Sequence, residues 1–191
     1  MFVNYYDKKY ANKMGPRRQT FRKIFKLLES KQKNFYVIVE TGCARTRDNF
    51  LGDGMSTVLF DEFVNFYDGA VFSVDKEKGH CDLANSLTSN KTTVNHSDSV
   101  PFLWNLCVDN DIDLVYLDSY DIDFNNSQIQ HLSMLHHLKE FCAILPKLKE
   151  GAIIAIDDNR KDGGKGHYVR DFMNSINKKP IINDVQLIYI L

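Results

Sequence analysis

Short apolar runs rich in β-branched residues alternate along this chain with longer segments of helical composition. Runs of this kind suit strands that are buried on both faces of a parallel sheet. Their alternation with helical segments is typical of an open α/β fold. The predicted strands cover residues 35–39, 70–74, 92–94, 112–117, 152–156 and 185–191. The predicted helices cover residues 55–67, 81–89, 100–108, 128–145 and 167–176. The pattern therefore predicts a doubly wound, mostly parallel sheet of about six strands with helices on both faces.

The length of 191 residues fits one ordinary domain. Residues 1–16 are polar and aromatic and end at a Gly-Pro pair, so we expect an N-terminal arm followed by a single domain over 17–191. At the start of that domain, residues 17–29 carry apolar side chains at helical spacing between positions 21 and 28, with a strongly basic opposite face that begins at Arg17. A basic helical face is most often simply solvated, and an anionic partner is the less favoured interpretation.

Composition excludes several classes of protein. The 24 Lys and Arg residues balance 25 Asp and Glu residues, which gives no general reason to expect nucleic acid or an anionic membrane as a partner. Four cysteines lie far apart, so a zinc ribbon or a disulfide scaffold is not expected. No apolar stretch is long enough for a membrane helix or a signal peptide, and we therefore predict a soluble, cytoplasmic protein. The sequence leaves open whether it forms a homo-oligomer.

Each of the first five predicted strands is followed by an acidic residue. These residues are Glu40, Asp75, Asp98, Asp118 and the pair Asp157-Asp158. In an open α/β sheet, ligands bind outside the carboxyl ends of the strands. A single acid after a strand is often only a helix cap, but five on one edge of a sheet predict a functional site there.

The turn after the first predicted strand has the features of a nucleotide site. Gly42 follows the strand directly and allows a ligand to approach the backbone closely. Gly54 and Ser56 open the next helix, whose N-terminus favours an anionic group such as a carboxylate. Asp75, at the end of the second strand, can accept hydrogen bonds from both hydroxyls of a ribose. Together these positions predict a cofactor that contains a nucleoside, with residues 43–53 inserted in its first loop.

Over roughly residues 35–172, these motifs resemble those of the class I S-adenosylmethionine-dependent methyltransferases. The resemblance lies in residues 40–42 with 54–57, 71–75, 95–99, 113–120 and 151–159. It implies a Rossmann-like fold with S-adenosylmethionine as the cofactor. The cofactor residues implied are Glu40, Gly42, Gly54, Ser56, Asp75, Ser97, Asp98 and Asp118.

Within that family, the closest resemblance is to magnesium-dependent O-methyltransferases of the catechol and macrolide-sugar types. The resemblance implies a Mg²⁺ site at Asp118, Asp158 and Asn159, and an acceptor hydroxyl on a small molecule or sugar. Carboxylate and amide oxygens are the ligands that such a hard cation prefers. A bound cation lowers the pKa of the acceptor hydroxyl and orients it.

The sequence departs from the family pattern at the position of the catalytic base. Catechol-type enzymes carry a lysine three residues after the fourth-strand Asp, and here that position is Asp121. The candidate catalytic residues are therefore Asp118, Asp121 and His167, with Lys165 a further candidate by location, unless the metal alone suffices. After Pro180 we expect only about one strand, where this fold usually has a hairpin of two.

Two other functions stay open at this point. The basic helix and the arginines of the insertion favour a nucleic-acid methyltransferase, although the Asp-Pro-Pro-Tyr type of motif is absent. The same fold could also belong to a non-catalytic cofactor-binding or assembly protein. A dinucleotide dehydrogenase is disfavoured, because the chain lacks a GxGxxG fingerprint.

Overall fold

A computed structural model describes residues 1–53 and 55–191 of the chain. The strands are β1 (Tyr36–Thr41), β2 (Gly69–Asp75), β3 (Thr92–His96), β4 (Leu114–Leu117), β5 (Ile153–Ile156), β6 (Asn159–Arg160), β7 (Gly163–Gly164), β8 (Ile182–Asn183) and β9 (Leu187–Ile190). The helices are α1 (Phe2–Lys9), α2 (Arg18–Ser30), α3 (Ser56–Tyr67), α4 (Lys78–Leu87), α5 (Ser99–Asn105), α6 (Ser127–Ile144) and α7 (His167–Ser175). Short 3-10 turns cover Ala11–Lys13, Gly15–Arg17 and Leu145–Lys147.

The main sheet has seven strands in the order β3-β2-β1-β4-β5-β9-β8. The first five strands pair in parallel, while β9 runs antiparallel to both β5 and β8. The predicted doubly wound, mostly parallel sheet is thus confirmed. The expectation of about one strand after Pro180 is wrong, because Ile182 and Asn183 form β8 and complete a hairpin with β9. A strand of two half-buried residues has no apolar run that could announce it in the sequence.

Apolar runs become central strands because both of their faces are covered. Alternate residues of β1, β4 and β5 enter two separate hydrophobic clusters, one on each side of the sheet. On one side Ile38 packs in a cluster with the aromatic side chains of α2 and α3, and on the other Val39 packs in a cluster with mostly aliphatic side chains of α5, α6 and α7. None of the helices in the described part of the chain has the length and apolar character that a membrane span requires.

The N-terminal segment, predicted as an arm, carries a helix that packs against the domain. Phe2, Val3 and Tyr6 of α1 are buried. The ring centroid of Phe2 lies 4.8 Å from that of Phe25 on α2 and 5.3 Å from that of Phe63 on α3. The aromatic residues of this segment therefore extend the core on one side of the sheet, and a domain boundary at residue 16 stays a prediction.

Candidate active site

One cavity of about 490 Å³ opens at the carboxyl ends of the parallel strands. Its volume is within the range of roughly 300–1,000 Å³ that is usual for small-molecule sites. It lies where the strand order reverses between β1 and β4, which is where open α/β sheets bind their ligands. The predicted site residues on its wall are Gly42, Ser56, Asp75, Asp98, Asp118, Asp121 and Asp158. Those that do not line it are Glu40, Ser97, Asn159 and His167. Gly54 lies outside the described residues.

Gly42 shapes the centre of the cavity. Its φ of +77° lies in the left-handed region that favours glycine. A Cβ at this position would lie 2.5 Å from the carbonyl oxygen of Asp118. Only glycine therefore lets the loop after β1 pass so close to the end of β4. This close approach joins the two halves of the cavity.

Asp75 is held at the end of β2 by backbone donors. Its carboxylate accepts hydrogen bonds from the backbone N–H of Glu77 at 2.8 Å and that of Cys43 at 3.3 Å. The Nδ1 atom of His80 lies 3.3 Å from the same carboxylate. These contacts orient the side chain toward the cavity. No lysine or arginine among the described residues pairs with it, so the carboxylate can accept hydrogen bonds from a ligand.

Asp98, which follows β3, lines the cavity, whereas Ser97 does not. Asp98 is the N-cap of α5, and its carboxylate accepts a hydrogen bond from the backbone N–H of Val100 at 2.9 Å. Next to it, the hydroxyl of Ser99 lies 2.9 Å from Nε2 of His136, and both residues line the cavity. The histidines of α6, His131, His136 and His137, lack the i, i+4 spacing of a metal site, which favours surface or packing residues, so the sequence does not predict His136 at the cavity.

Glu40 lies beneath the cavity and is fully buried. The hydroxyl of Ser73 donates to its Oε2 at 2.6 Å, and among the described residues its Oε1 has no partner. Burial raises the pKa of this carboxyl to about 7, although the hydroxyls nearby favour its charged form. Glu40 therefore lies in the protein interior beneath the cavity and is not one of the residues that line it.

At the other end of the cavity, a buried lysine lies between two acids. The Nζ atom of Lys165 lies 2.5 Å from Oδ1 of Asp118 and 3.2 Å from Oδ2 of Asp158, and only 1% of its side chain is exposed. Burial by itself would lower the pKa of Lys165, but the two carboxylates outweigh that effect and raise it above its ordinary value. A lysine is ordinarily an ammonium cation near neutral pH, and the contacts with the two acids favour that form of Lys165.

Arg17 is the second cation at this end of the cavity. Its Nε lies 2.7 Å from Oδ2 of Asp157, which is fully buried, and its Nη2 lies 2.8 Å from Oδ1 of Asp158. Its Nη1 also donates to the backbone carbonyls of Leu51 and Gly52 in the insertion. The sequence pattern predicted that Arg17 belongs to a solvated basic face. In the structure its side chain instead links its own segment to the acids after β5 and to the insertion.

The insertion 43–53 forms part of the cavity wall through Arg45, Gly52 and Asp53. Arg45 donates from Nη1 to Oδ2 of Asp121 at 2.8 Å and from Nε to Oδ1 of Asp53 at 3.1 Å. The first contact ties the insertion to the loop after β4. The insertion is therefore placed to cover a ligand in the cavity.

The other catalytic candidates differ in their positions. Asp121 lies on the cavity wall but is paired with Arg45. His167 begins α7, with its Nδ1 atom 2.6 Å from Nη2 of Arg170 and its Nε2 atom 3.6 Å from a carboxylate oxygen of Asp171. Since His167 does not line the cavity, Asp118 and Asp121 are the candidates that the fold brings to it.

The residues predicted to bind Mg²⁺ are not arranged as a ligand set. The amide of Asn159 donates to Oδ1 of Asn183 at 2.9 Å and to the carbonyl of Asp184 at 2.8 Å, in the C-terminal hairpin. Both oxygens of Asp158 contact cationic side chains. Across residues 1–53 and 55–191, no group of three or more His, Cys, Asp and Glu side chains is placed to hold a metal ion. Oδ1 of Asn159 has no partner among the described residues, but Asn159 does not line the cavity and the oxygens of Asp158 are already paired, so the three residues as placed do not form a divalent-cation site.

No model of a known protein family matches this sequence, and no curated protein matches it. Solved structures do match. The O-methyltransferase NovP superimposes with a TM-score of 0.65 at 12% identity, over 91% of this chain and 79% of NovP. The MycE methyltransferase of the mycinamycin biosynthetic pathway, in complex with Mg and SAH, superimposes with a TM-score of 0.62 at 13% identity. That match covers 91% of this chain but 48% of MycE, so the chain spans about half the length of MycE. These solved structures share the predicted Rossmann-like fold, which is thereby confirmed.

Proposed function

We propose that this chain is an S-adenosylmethionine-dependent methyltransferase that methylates a hydroxyl group on a small molecule or sugar. One observation carries the proposal. A single cavity at the reversal of strand order has one wall with Asp75 and Asp98 and another with Asp118 and Asp121. The first wall suits a nucleoside cofactor and the second suits an acceptor. The O-methyltransferases with the same fold support the proposal.

In this proposal, the cofactor lies along the ends of β1, β2 and β3. Asp75 accepts hydrogen bonds from the ribose hydroxyls, and the N-terminus of α3 at Ser56 attracts the cofactor carboxylate. Asp98 and His136 border the position of the base. The cofactor supplies a methyl group on a sulfonium, and the backbone at Gly42 leaves room for that part of the molecule.

The chain contributes to transfer mainly by orientation. Asp118 faces the cavity and can accept a hydrogen bond from the acceptor hydroxyl, which directs the acceptor oxygen. The insertion, tied to Asp121 by Arg45, borders the cavity and is placed to lie over the acceptor. Holding two reactants in line is by itself a large source of rate acceleration in such reactions.

The charge of the cavity favours a small molecule over a nucleic acid. Its wall carries seven acids, Asp53, Asp75, Glu77, Asp98, Asp118, Asp121 and Asp158. Three cations on the wall, Arg17, Arg45 and Lys76, oppose them, together with the buried Lys165 that contacts Asp118 and Asp158. An acidic wall repels a phosphate backbone, which protein cations normally bind.

Calorimetric titration with S-adenosylmethionine and S-adenosylhomocysteine tests the proposal. We expect micromolar binding to the wild type. Asp75→Ala removes hydrogen bonds from a charged acceptor, each worth about 1.5–3 kcal/mol, and should weaken binding by about 100-fold. Asp82→Ala, which removes an exposed acid of α4, is the matched control and should bind as the wild type does.

Absence of binding to the wild type, or unchanged binding to Asp75→Ala, would contradict the proposed cofactor site. Where the cofactor binds, the release of S-adenosylhomocysteine is followed with hydroxylated small molecules, sugars, and short RNA and DNA. Turnover only with nucleic acid would favour the nucleic-acid methyltransferase. Binding without any turnover would favour the non-catalytic alternative.

A further inference from the structure

The position of Lys165 is imposed by the backbone around it. It follows β7, which pairs with β6 in a short hairpin after β5. Gly164 in this hairpin has a φ of +83°, and a Cβ there would lie 2.6 Å from the carbonyl oxygen of Asp158. The backbone N–H of Lys165 donates to that same carbonyl at 3.2 Å. The backbone therefore reverses its direction just after Asp158. This reversal places the side chain of Lys165 in contact with Asp118 and Asp158.

The acids at this end of the cavity already have cationic partners. Asp158 contacts Lys165 through Oδ2 and Arg17 through Oδ1, and both oxygens of Asp157 accept from Nε of Arg17. Oδ1 of Asp118 contacts Lys165. A divalent cation between Asp118 and Asp158 would have to displace the ammonium or lie against it. Either arrangement is unfavourable, because like charges repel strongly where water is excluded.

We propose that Lys165 takes the place of a divalent metal between Asp118 and Asp158, so that this chain positions its acceptor without a metal ion. Lys165 is then a positioning residue, since it acts through the two acids and does not itself line the cavity. This inference rests on the proposed function for the identity of the acceptor, but the occupancy of the site by Lys165 is independent of it.

The ammonium has two consequences for the acids it holds. It keeps the two carboxylates at a fixed separation, which a divalent cation does in metal-dependent sites. It also leaves Oδ2 of Asp118 without a protein partner among the described residues, on a side chain that lines the cavity. An acceptor hydroxyl can donate to this oxygen. The arrangement thus favours an acceptor that binds as a hydrogen-bond donor over one that chelates a metal.

Titration of the wild-type protein with Mn²⁺, followed by the electron paramagnetic resonance signal of the free ion, tests the proposal directly. The protein is first treated with a chelator and desalted, and the titration is done with and without S-adenosylhomocysteine. We expect no stoichiometric binding up to millimolar Mn²⁺. Stoichiometric binding at lower concentrations that Asp158→Asn removes would overturn the proposal.

Two variants test the cause. Lys165→Ala and Lys165→Gln remove the ammonium, which leaves Asp118 without its cationic partner and Asp158 with Arg17 alone. Both variants should therefore bind Mn²⁺ at least tenfold more tightly than the wild type. Adding Asp118→Asn should abolish that gain. Lys161→Ala, which removes an exposed lysine of the same hairpin region, is the control and should show no gain. A loss of packing alone would not create a metal site, so folded variants without a gain would overturn the role of Lys165.

The wild-type titration decides the proposal even if neither variant folds. Calorimetry of S-adenosylhomocysteine binding, in chelator and in Mg²⁺, keeps the two proposals apart. Equal affinity in both buffers supports a metal-free site, whereas a tenfold gain in Mg²⁺ that Asp158→Asn removes would overturn it. Failure of the cofactor to bind in either buffer would contradict the proposed function and leave the Mn²⁺ result valid.

Discussion

The two ends of the cavity hold their acids in different ways. At the cofactor end, backbone N–H groups hold Asp75 and Asp98. At the acceptor end, the cationic side chains of Lys165, Arg17 and Arg45 hold the acids. Backbone donors orient a carboxylate and leave its charge available to a ligand. A cationic side chain also neutralises the carboxylate and links it to a distant part of the chain.

Because of this difference, we expect substitutions at the cofactor end to affect mainly ligand binding and substitutions at the acceptor end to affect mainly stability. Removing an acid at the cofactor end should mainly weaken binding, because no buried cation is left behind. Removing a buried cation at the acceptor end leaves a charge unpaired in the interior, which typically destabilises a protein by about 3–5 kcal/mol. The predictions that follow test this contrast, from the largest expected effect to the smallest.

Arg17→Ala should give the largest loss of stability. It leaves the buried carboxylate of Asp157 without its partner, and we expect the free energy of unfolding to fall by about 3–5 kcal/mol in urea denaturation. Arg18→Ala, which removes the exposed arginine next to it, should change the free energy by less than about 0.5 kcal/mol. If the two variants lowered the free energy of unfolding equally, the pairing of Arg17 with Asp157 would not stabilise the acceptor end.

Glu40→Gln tests the buried acid at the cofactor end, which pairs with no cationic side chain in the described part of the protein. Burial raises the pKa of Glu40 from 4.5 to about 7, so the folded protein holds its proton more tightly than the unfolded chain. Its contribution to stability is present below pH 4.5 and is lost as the pH rises through 7. The wild type should lose up to about 1.4 kcal/mol per pH unit relative to Glu40→Gln over this range.

The measurement is the free energy of unfolding of both proteins from pH 4.5 to pH 7. Taking the difference between them cancels the other groups that titrate in this range. Parallel curves would mean that Glu40 has an ordinary pKa in the folded protein. Burial at the cofactor end would then not destabilise the charged form of this carboxyl.

Asp98→Ala should have a moderate effect on stability. It removes the N-cap of α5, which typically costs about 1 kcal/mol. Asp98→Asn keeps a good capping group and should restore the thermal stability to within a few tenths of a kcal/mol. If both variants unfold at the temperature of the wild type, the backbone contact of Asp98 does not hold this end of the cavity.

Arg45→Ala should have the smallest effect on stability, less than about 1 kcal/mol, because 41% of the Arg45 side chain is exposed. It should nevertheless release the insertion from Asp121 and speed the dissociation of S-adenosylhomocysteine in stopped-flow measurements. Arg47→Ala removes an exposed arginine of the same insertion and should leave that rate unchanged. An unchanged rate for Arg45→Ala would show that its ion pairs do not retain the ligand.

The sequence by itself determined the architecture and the cofactor end of the cavity. Apolar runs and helical periodicity depend on neighbouring residues, so they predict which segments become strands and helices. Since parallel strands end at one edge, the order of the chain also predicts that Gly42, Asp75 and Asp118 meet there. The two-residue strand β8 escaped because its pairing with β9, and not its composition, makes it a strand.

Only the tertiary structure decided how the acceptor end is neutralised. Lys165 and Asp118 are 47 positions apart, and Arg17 and Asp157 are 140 apart. No local pattern indicates which acid such a cation contacts. Asn159 was predicted to bind a metal, but its amide nitrogen donates to the C-terminal hairpin and the residue does not line the cavity. A carboxylate, lysine or amide has no fixed role in a sequence, because its chemistry depends on the partner that folding places within hydrogen-bond distance.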